Sequence, residues 1–476
     1  MCETGQTPFT PWRYGLTIDR DLLAAVAVTR LGLGARSGEI AAARGDPRGW
    51  ALAQIREEGA DQPTPAGAGA PRRFGELRQL QIDRRDARLS GQSRDDAVKT
   101  AARILRQEVG ADFLDRLRLA AGTEAGFRER WALFWANHFT VSAAKAAVAG
   151  LVGPFERDAI RPHVFGRFED MLVASSQHPA MLIYLDQARS IGPDSMASRF
   201  QARNGKTVGL NENLAREIME LHTVGLAASY SQSDVTEFAR AMTGWSIGAF
   251  NDPQGRAGEF MFRPRAHEPG ARTVMGRRYD QDGIGQARAV LRDLAANPNT
   301  ARHLATKIVR HFVSDDPPSS LVARLEQSWR ESDGRLDKVA SALINAPETW
   351  DPTPAKFKTP YEFLVSSWRA AGTVPDDVRP LAQTLTAMGQ KPLGAPSPKG
   401  WAETTGDWCA PDAIIKRMDW SEAFAAGVIG DRDPAQLAAD ALGARLTPLA
   451  AKTIARAETR AEGLSILLMS PEFQRR

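Results

Sequence analysis

Apolar residues spaced three and four apart along most of the chain are the strongest constraint on its fold, because that spacing places them on one face of a helix. Phe127, Trp131 and Phe134 recur at i, i+4 and i+7, and His138 extends the same face at i+11. His138 therefore points where the core points. Runs of strong helix formers without internal proline, Phe74 to Leu89 and Arg94 to Leu119, predict further helices. The termination signals agree: Asp46-Pro47 supplies an N-cap and a first-turn proline, and Ser231 with Asp234 forms a capping box. Asn211 starts a helix that ends near Gly225.

Later helices are predicted at 283–296, 300–313, 320–345, 361–371 and 378–388, with two more before the end. Three segments read as loops: 62–71, 192–206 and 390–400, all rich in Gly, Pro or small polar residues. One region reads as extended. Phe260-Met-Phe262 and Thr273-Val-Met275 flank His267-Glu-Pro-Gly270, which predicts a small β-hairpin or meander around 260–276. The expected fold class is mainly α, a multi-helix bundle or helical array with that one β element. Its organisation is an N-terminal extension (1–21) and one unit from 22 to 476. That unit divides into a helical half to about 250, a β insertion at 251–282 and a helical half at 283–476.

Composition excludes more than it suggests. With 43% hydrophobic and 25% charged residues, the chain is neither disordered nor membrane-like. No apolar run approaches the ~18 residues of a membrane span. The formal charge of +4 reflects 61 basic against 57 acidic residues that interleave without a continuous basic stripe, so no nucleic-acid partner is implied. Arg supplies 50 of those basic residues, as a GC-rich genome would. Cys2 and Cys409 form no CxxC pair and no zinc spacing. No signal peptide is read at the start, so the expected location is cytoplasmic, with periplasmic delivery only through an exported partner. Phosphate-cradling glycine loops, nucleophile elbows and His-Glu-x-x-His are absent.

Candidate chemistry gathers in the middle of the chain. In the helix from Asn211, Asn213, Glu217 and Glu220 share one stripe, with Leu214, Ile218 and Leu221 opposite and His222 at the margin. The acidic stripe has three readings: a solvated face, a buried ion network balanced by Arg216, or a site for a divalent metal or a shared proton. His138, His163, His178, His222 and His311 lie in helical blocks, and a bundle can gather Glu and His ligands from several helices. Candidates for metal binding are thus Glu217, Glu220, His138 and His222, with Glu217, Glu220 and His138 also candidates for catalysis. The di-iron spacing Glu-x-x-His is missing, and His222 sits about 140° round an α-helix from Glu217. Each histidine alone also reads as a core or cap residue, and His178 before Pro179 marks a helix boundary. Trp131, Trp135, Trp245, Trp401 and Trp408 read as core in preference to a sugar-stacking surface.

Several blocks occur in an order that identifies a resemblance. They are RERWALFWANHFTVS (128–142), FERDAIRPHVFGRFEDML (155–172), HPAMLIYLDQARSIGP (178–193), NENLAREIMELHTVGL (211–226) and YSQSDVTEFARAMTGW (230–245). NPNTARHLATKIVRHFVSDDPP (297–318) and KTPYEFLVSSWRAAG (358–372) follow. From about residue 22 onward the chain resembles the bacterial family called domain of unknown function 1800. Gln187 stands where close members read Asn. The resemblance implies a predominantly helical fold and no established activity. It also implies a gene neighbour from the family called domain of unknown function 1501, whose members look like exported sulfatase- and phosphatase-like enzymes. Two functions follow: a helical scaffold or accessory protein working with such a partner on cell-surface material, or a metal-dependent enzyme built on the Glu/His set.

Overall fold

The computed structural model describes residues 19–64, 67–90, 95–205, 209–249 and 256–476. Among the described residues 63% are helical and two small antiparallel two-stranded sheets occur, so the fold is mainly α with a minor β component. Among the described residues no helix is long and apolar enough to cross a membrane. The N-terminal extension lies outside the described residues up to residue 18.

Helix starts follow the local chemistry. Asp46 accepts Gly49 N–H at 2.9 Å, and both halves of the Ser231/Asp234 capping box form. His178 caps the helix that Pro179 opens, its Nδ1 accepting Ala180 N–H at 3.1 Å. Two predicted segments differ. The single helix over 320–345 is two, Ser319–Glu331 and Leu336–Asn345, because Asp333 and Gly334 take positive φ and reverse the chain. Within 192–206, read as loop, Ser195 caps a helix at Met196–Arg203. That helix buries none of its residues, so no core-facing period marks it in the sequence.

The β component is present but pairs differently from the expected hairpin. Phe260–Phe262 pairs with Trp245–Ile247, and Arg272–Val274 pairs with Arg277–Tyr279. Trp245–Ile247 is buried on both faces and shows no alternation, which hid it as a strand. The second hairpin turns at Met275 and Gly276, both at positive φ, and Asp234 Oδ1 anchors the turn by accepting Met275 N–H at 2.7 Å.

Among the described residues two large hydrophobic cores form, beside a small cluster of Ala24, Val28, Ala35 and Ala43. The larger is organised by the Gly126–His138 helix, whose Phe127, Trp131, Phe134 and Trp135 pack with Phe168, Ile218, Ile308 and Phe312. Trp131 Nε1 donates to Val164 O at 2.7 Å, so even its polar atom is satisfied. Truncating Trp131 to Ala removes about 3–5 kcal/mol by the usual cost of a large buried aromatic. The second core joins residues 361–473 to Phe113, Leu114 and Leu117 of the long Asp95–Gly122 helix. The seam between these cores holds the cavity described next.

Candidate functional site

The helix carrying Glu217 is regular only over Asn213–Glu217; residues Ile218–His222 continue as a π-helix. The wider turn swings His222 fully into the core and leaves Glu217 and Glu220 half-buried. Glu220 faces Arg216 at 3.6 Å and accepts from the Tyr230 hydroxyl. Burial, then the neighbouring Glu220 charge, pushes the Glu217 carboxyl upward. His138 and His222 meet on the inner side, ring centroids 5.8 Å apart. The structure thus brings the four candidates together as two pairs, one inward and one outward. Among the described residues no three His, Cys, Asp or Glu side chains gather closely enough to hold a metal ion.

His138 has one tautomer open to it. Its Nδ1 lies 3.0 Å from Lys307 Nζ, and an ammonium can only donate, so Nε2 carries the proton and donates to His222 O at 3.2 Å. Burial, reinforced by Lys307, keeps this imidazole neutral, with its pKa well below the usual histidine value. His222 has neither ring nitrogen partnered. Burial, then Lys307 and His303, push its pKa down to about 3.

Lys307 belongs to a polar row that the sequence reading missed. His303, Lys307 and His311 follow one another at four-residue spacing on the Pro298–Phe312 helix, beside a face where Leu304, Ile308 and Phe312 are buried. The spacing His-x3-Lys-x3-His was the available signal. His303 Nε2 donates to Leu221 O at 3.3 Å. One turn beyond Lys307, His311 Nδ1 lies 2.9 Å from Glu403 Oε1. Although burial raises the Glu403 pKa, the His311 N–H and the Lys307 and Lys356 charges hold it below the usual range. Burial carries His311 the other way, down to about 4, against the pull of Glu403. The dyad is therefore a neutral imidazole donating through Nδ1 to a carboxylate, with Nε2 a bare acceptor.

His311 and Glu403 help to wall a cavity of about 140 Å³ at the seam of the two cores. Leu33, Phe113, Leu133, Leu385, Leu393 and Trp401 give it an apolar lining, and Arg116, Arg130, Glu156, Tyr361, Glu362 and Arg476 add polar groups. The charged groups are paired. Arg130 contacts Glu362, Arg476 Nη2 reaches Glu362 at 3.1 Å, and Arg116 meets Glu156 at 2.9 Å. Behind them Arg161 joins Glu156 and Glu129 at 2.6 and 2.8 Å. Burial alone would raise the Glu362 pKa, but Arg130 and Arg476 hold it far below the usual range. Besides Arg116 Nε, which meets Glu156 as an ion pair, four buried atoms of lining residues have no hydrogen-bond partner: the Tyr361 hydroxyl, His311 Nε2, and the Nε of Arg130 and Arg476. Tyr361 is 8% exposed, and burial pushes its phenol pKa upward, so it remains a donor.

Local sequence positions this wall. Thr359 and Glu362 cap the Pro360–Ala370 helix reciprocally, with Pro360 in the first turn, so one carboxylate both caps the helix and pairs the arginines. The 390–400 loop is pinned when Asn137 accepts Trp401 N–H at 2.8 Å and donates to Trp401 O at 3.1 Å. Gly400 has φ +84°, and a Cβ there would stand 2.4 Å from Asn137 O, so only glycine permits this approach.

Comparison with known proteins adds one match. A family model described as "Protein of unknown function (DUF1800)" covers residues 26–475. No curated protein and no solved structure matches the chain.

Proposed function

The chain belongs to the DUF1800 family, and from that premise and the seam geometry we propose that it binds a small molecule in the cavity between its two cores. One observation carries the reading: on residues that line the cavity, the Tyr361 hydroxyl, His311 Nε2 and the Nε of Arg130 and Arg476 have no hydrogen-bond partner. A buried polar atom without a partner costs about 1–3 kcal/mol, which a ligand's hydrogen bond would recover. Native mass spectrometry of the untagged protein tests this against an Ala136→Leu variant that narrows the cavity. A small-molecule adduct in the parent, reduced in the variant, is expected. Identical spectra free of adduct would contradict the reading.

Within the cell we propose an accessory role. The protein would act as a helical scaffold for an exported sulfatase/phosphatase-like partner of the family called domain of unknown function 1501, on cell-surface material and in that partner's compartment. Support comes from the Met196–Arg203 helix, which exposes Met196 (66%) and Phe200 (64%) one turn apart and buries nothing. Co-purification with the neighbouring gene product should fall at least about tenfold in a Met196→Ser/Phe200→Ser double variant, the cost of about 1.4 kcal/mol of lost apolar contact. Equal recovery would contradict a role for this helix.

The alternative, a metal-dependent enzyme using Glu217, Glu220, His138 and His222, is favoured by the free nitrogens of His222. It requires His138 to give up Lys307 or the His222 carbonyl. Elemental analysis showing a stoichiometric divalent metal in untagged protein would establish it over the first reading.

A further inference from the structure

We infer that a second cleft, between the Val378–Ala387 and Pro411–Val428 helices, binds an organic ammonium ion through its two indoles and the carboxylates of Asp376 and Asp377. None of its lining residues lines the seam cavity, so the inference stands apart from the reading above.

Size and access set the first limit. The cleft has a volume of about 650 Å³, inside the range of roughly 300–1,000 Å³ found for small-molecule sites. Val374, Asp376, Asp377 and Pro380 of its lining are exposed, and Trp368 and Trp420 are half-buried, so a solute reaches them. On the Pro411–Val428 helix Ala423 and Gly427 lie one turn apart and keep that wall low.

Aromatic chemistry sets the second. Trp420 stacks on Phe424 with ring centroids 4.6 Å apart and planes 19° apart, and Trp368 meets Phe424 edge-on at 4.8 Å and 81°. Phe424 is buried and fixes both indoles, which keep part of their surface in solvent. A cation within about 6 Å of an indole face is attracted by the ring quadrupole, more strongly than at Tyr or Phe.

Charge selects the sign. Among the described residues the Asp376 side chain forms no ion pair or hydrogen bond, and Asp377 uses one oxygen to cap the Val378–Ala387 helix, accepting Arg379 N–H at 2.9 Å. Arg432 is the one basic residue in the lining, and it is committed: Nε donates to Ile429 O at 3.1 Å, and the other two nitrogens contact the Val428 and Ala371 carbonyls at the ends of two helices. Arg118 donates to the Pro375 and Asp376 carbonyls at 2.9 and 3.2 Å and lies outside the lining. An anion in the cleft would meet two carboxylates and no uncommitted guanidinium, whereas a cation meets charges of the complementary sign.

Titrations of the full chain with choline and its uncharged isostere 3,3-dimethyl-1-butanol isolate the charge, while glucose and benzoate probe a sugar and an anion. Choline is expected to bind at least about fivefold more tightly than the isostere, the worth of one cation held by indole and carboxylate in an open site. In Asp376→Asn/Asp377→Asn, where Asn still caps the helix, that margin should fall at least about twofold. Thr384→Trp, which adds an indole's bulk to the cleft wall, should remove choline binding at unchanged helix content. Equal affinities for choline and the isostere, an undiminished margin in the Asn variant, or choline binding retained in Thr384→Trp would overturn the inference. So would absence of choline binding, or glucose or benzoate binding more tightly than choline. The seam cavity keeps its own test in Ala136→Leu, so the two readings fail separately.

Discussion

Two polar regions lie one helical turn apart on the Pro298–Phe312 helix and end differently. At Lys307 the network closes on itself: His138 uses both ring nitrogens, one on Lys307 and one on a carbonyl. At His311 one nitrogen is fixed by Glu403 and the other is unpartnered, as is the Tyr361 hydroxyl, and both residues line the cavity. Both histidines are buried among aromatics and both are neutral. A perturbed titration therefore does not distinguish them, whereas an unpartnered atom on a cavity-lining residue does. The contrast teaches that a closed network holds the fold, and that unpartnered atoms beside a cavity are what the proposed ligand would satisfy.

The largest expected effect breaks the paired wall. Glu362→Gln leaves Arg130 and Arg476 without their shared carboxylate, and loss of one partner from a buried ion network costs about 3–5 kcal/mol. Chemical denaturation should show it. A loss below about 1 kcal/mol would mean that the wall is not held by this network.

Acid should weaken both regions. His303 and His311 have folded pKa values near 4, below the unfolded value near 6.5, so the unfolded chain binds more protons between those limits. Stability from these residues is present above pH 6.5 and falls as pH drops toward 4, by up to about 1.4 kcal/mol per pH unit for each histidine. The depressed Glu362 acts in the same direction from its unfolded value downward. Unfolding midpoints measured from pH 8 to 4 should therefore be flat and then decline below about 6.5. A rise in stability over that interval would contradict the buried neutral state.

His222 sharpens the comparison, since it is unpartnered like Tyr361 but fully buried in the larger core and absent from the cavity lining. His222→Leu replaces an unsatisfied imidazole by an apolar side chain and should leave stability unchanged or raise it by about 1 kcal/mol. A large loss, together with loss of bound metal, would favour the metal-dependent alternative. The smallest effect belongs to the outward pair. Glu217→Gln/Glu220→Gln should change stability by less than about 0.5 kcal/mol and keep the helix content, because Gln is nearly as good a helix former and both positions are half-buried. Circular dichroism and elemental analysis together check this; a loss of metal would move the candidate site back to Glu217.

Much of the helical frame is legible in the sequence because helix starts are local. Asp46, Ser231 with Asp234, and His178-Pro179 each announce a boundary within four residues. His138 is likewise legible as a core residue from the Phe127–Phe134 period alone. Where the backbone leaves the α period the reading fails, as at the π-turn Ile218–His222, where a helical wheel no longer places side chains. The open site was hidden for another reason. His311 meets Glu403 across 92 residues, and Tyr361 reaches the same cavity from a third segment. No local pattern encodes that meeting. The family blocks contain His311 and Tyr361 without indicating that they share a wall.

The stability of Tyr361→Phe in the absence of any ligand tests the central claim most directly. If the hydroxyl is unpartnered, its removal takes away a buried group that nothing satisfies, and the variant should unfold at the same or higher denaturant concentration with an unchanged slope. A loss of more than about 1 kcal/mol would show that the hydroxyl has a partner within the fold and that the wall is closed like the network at Lys307.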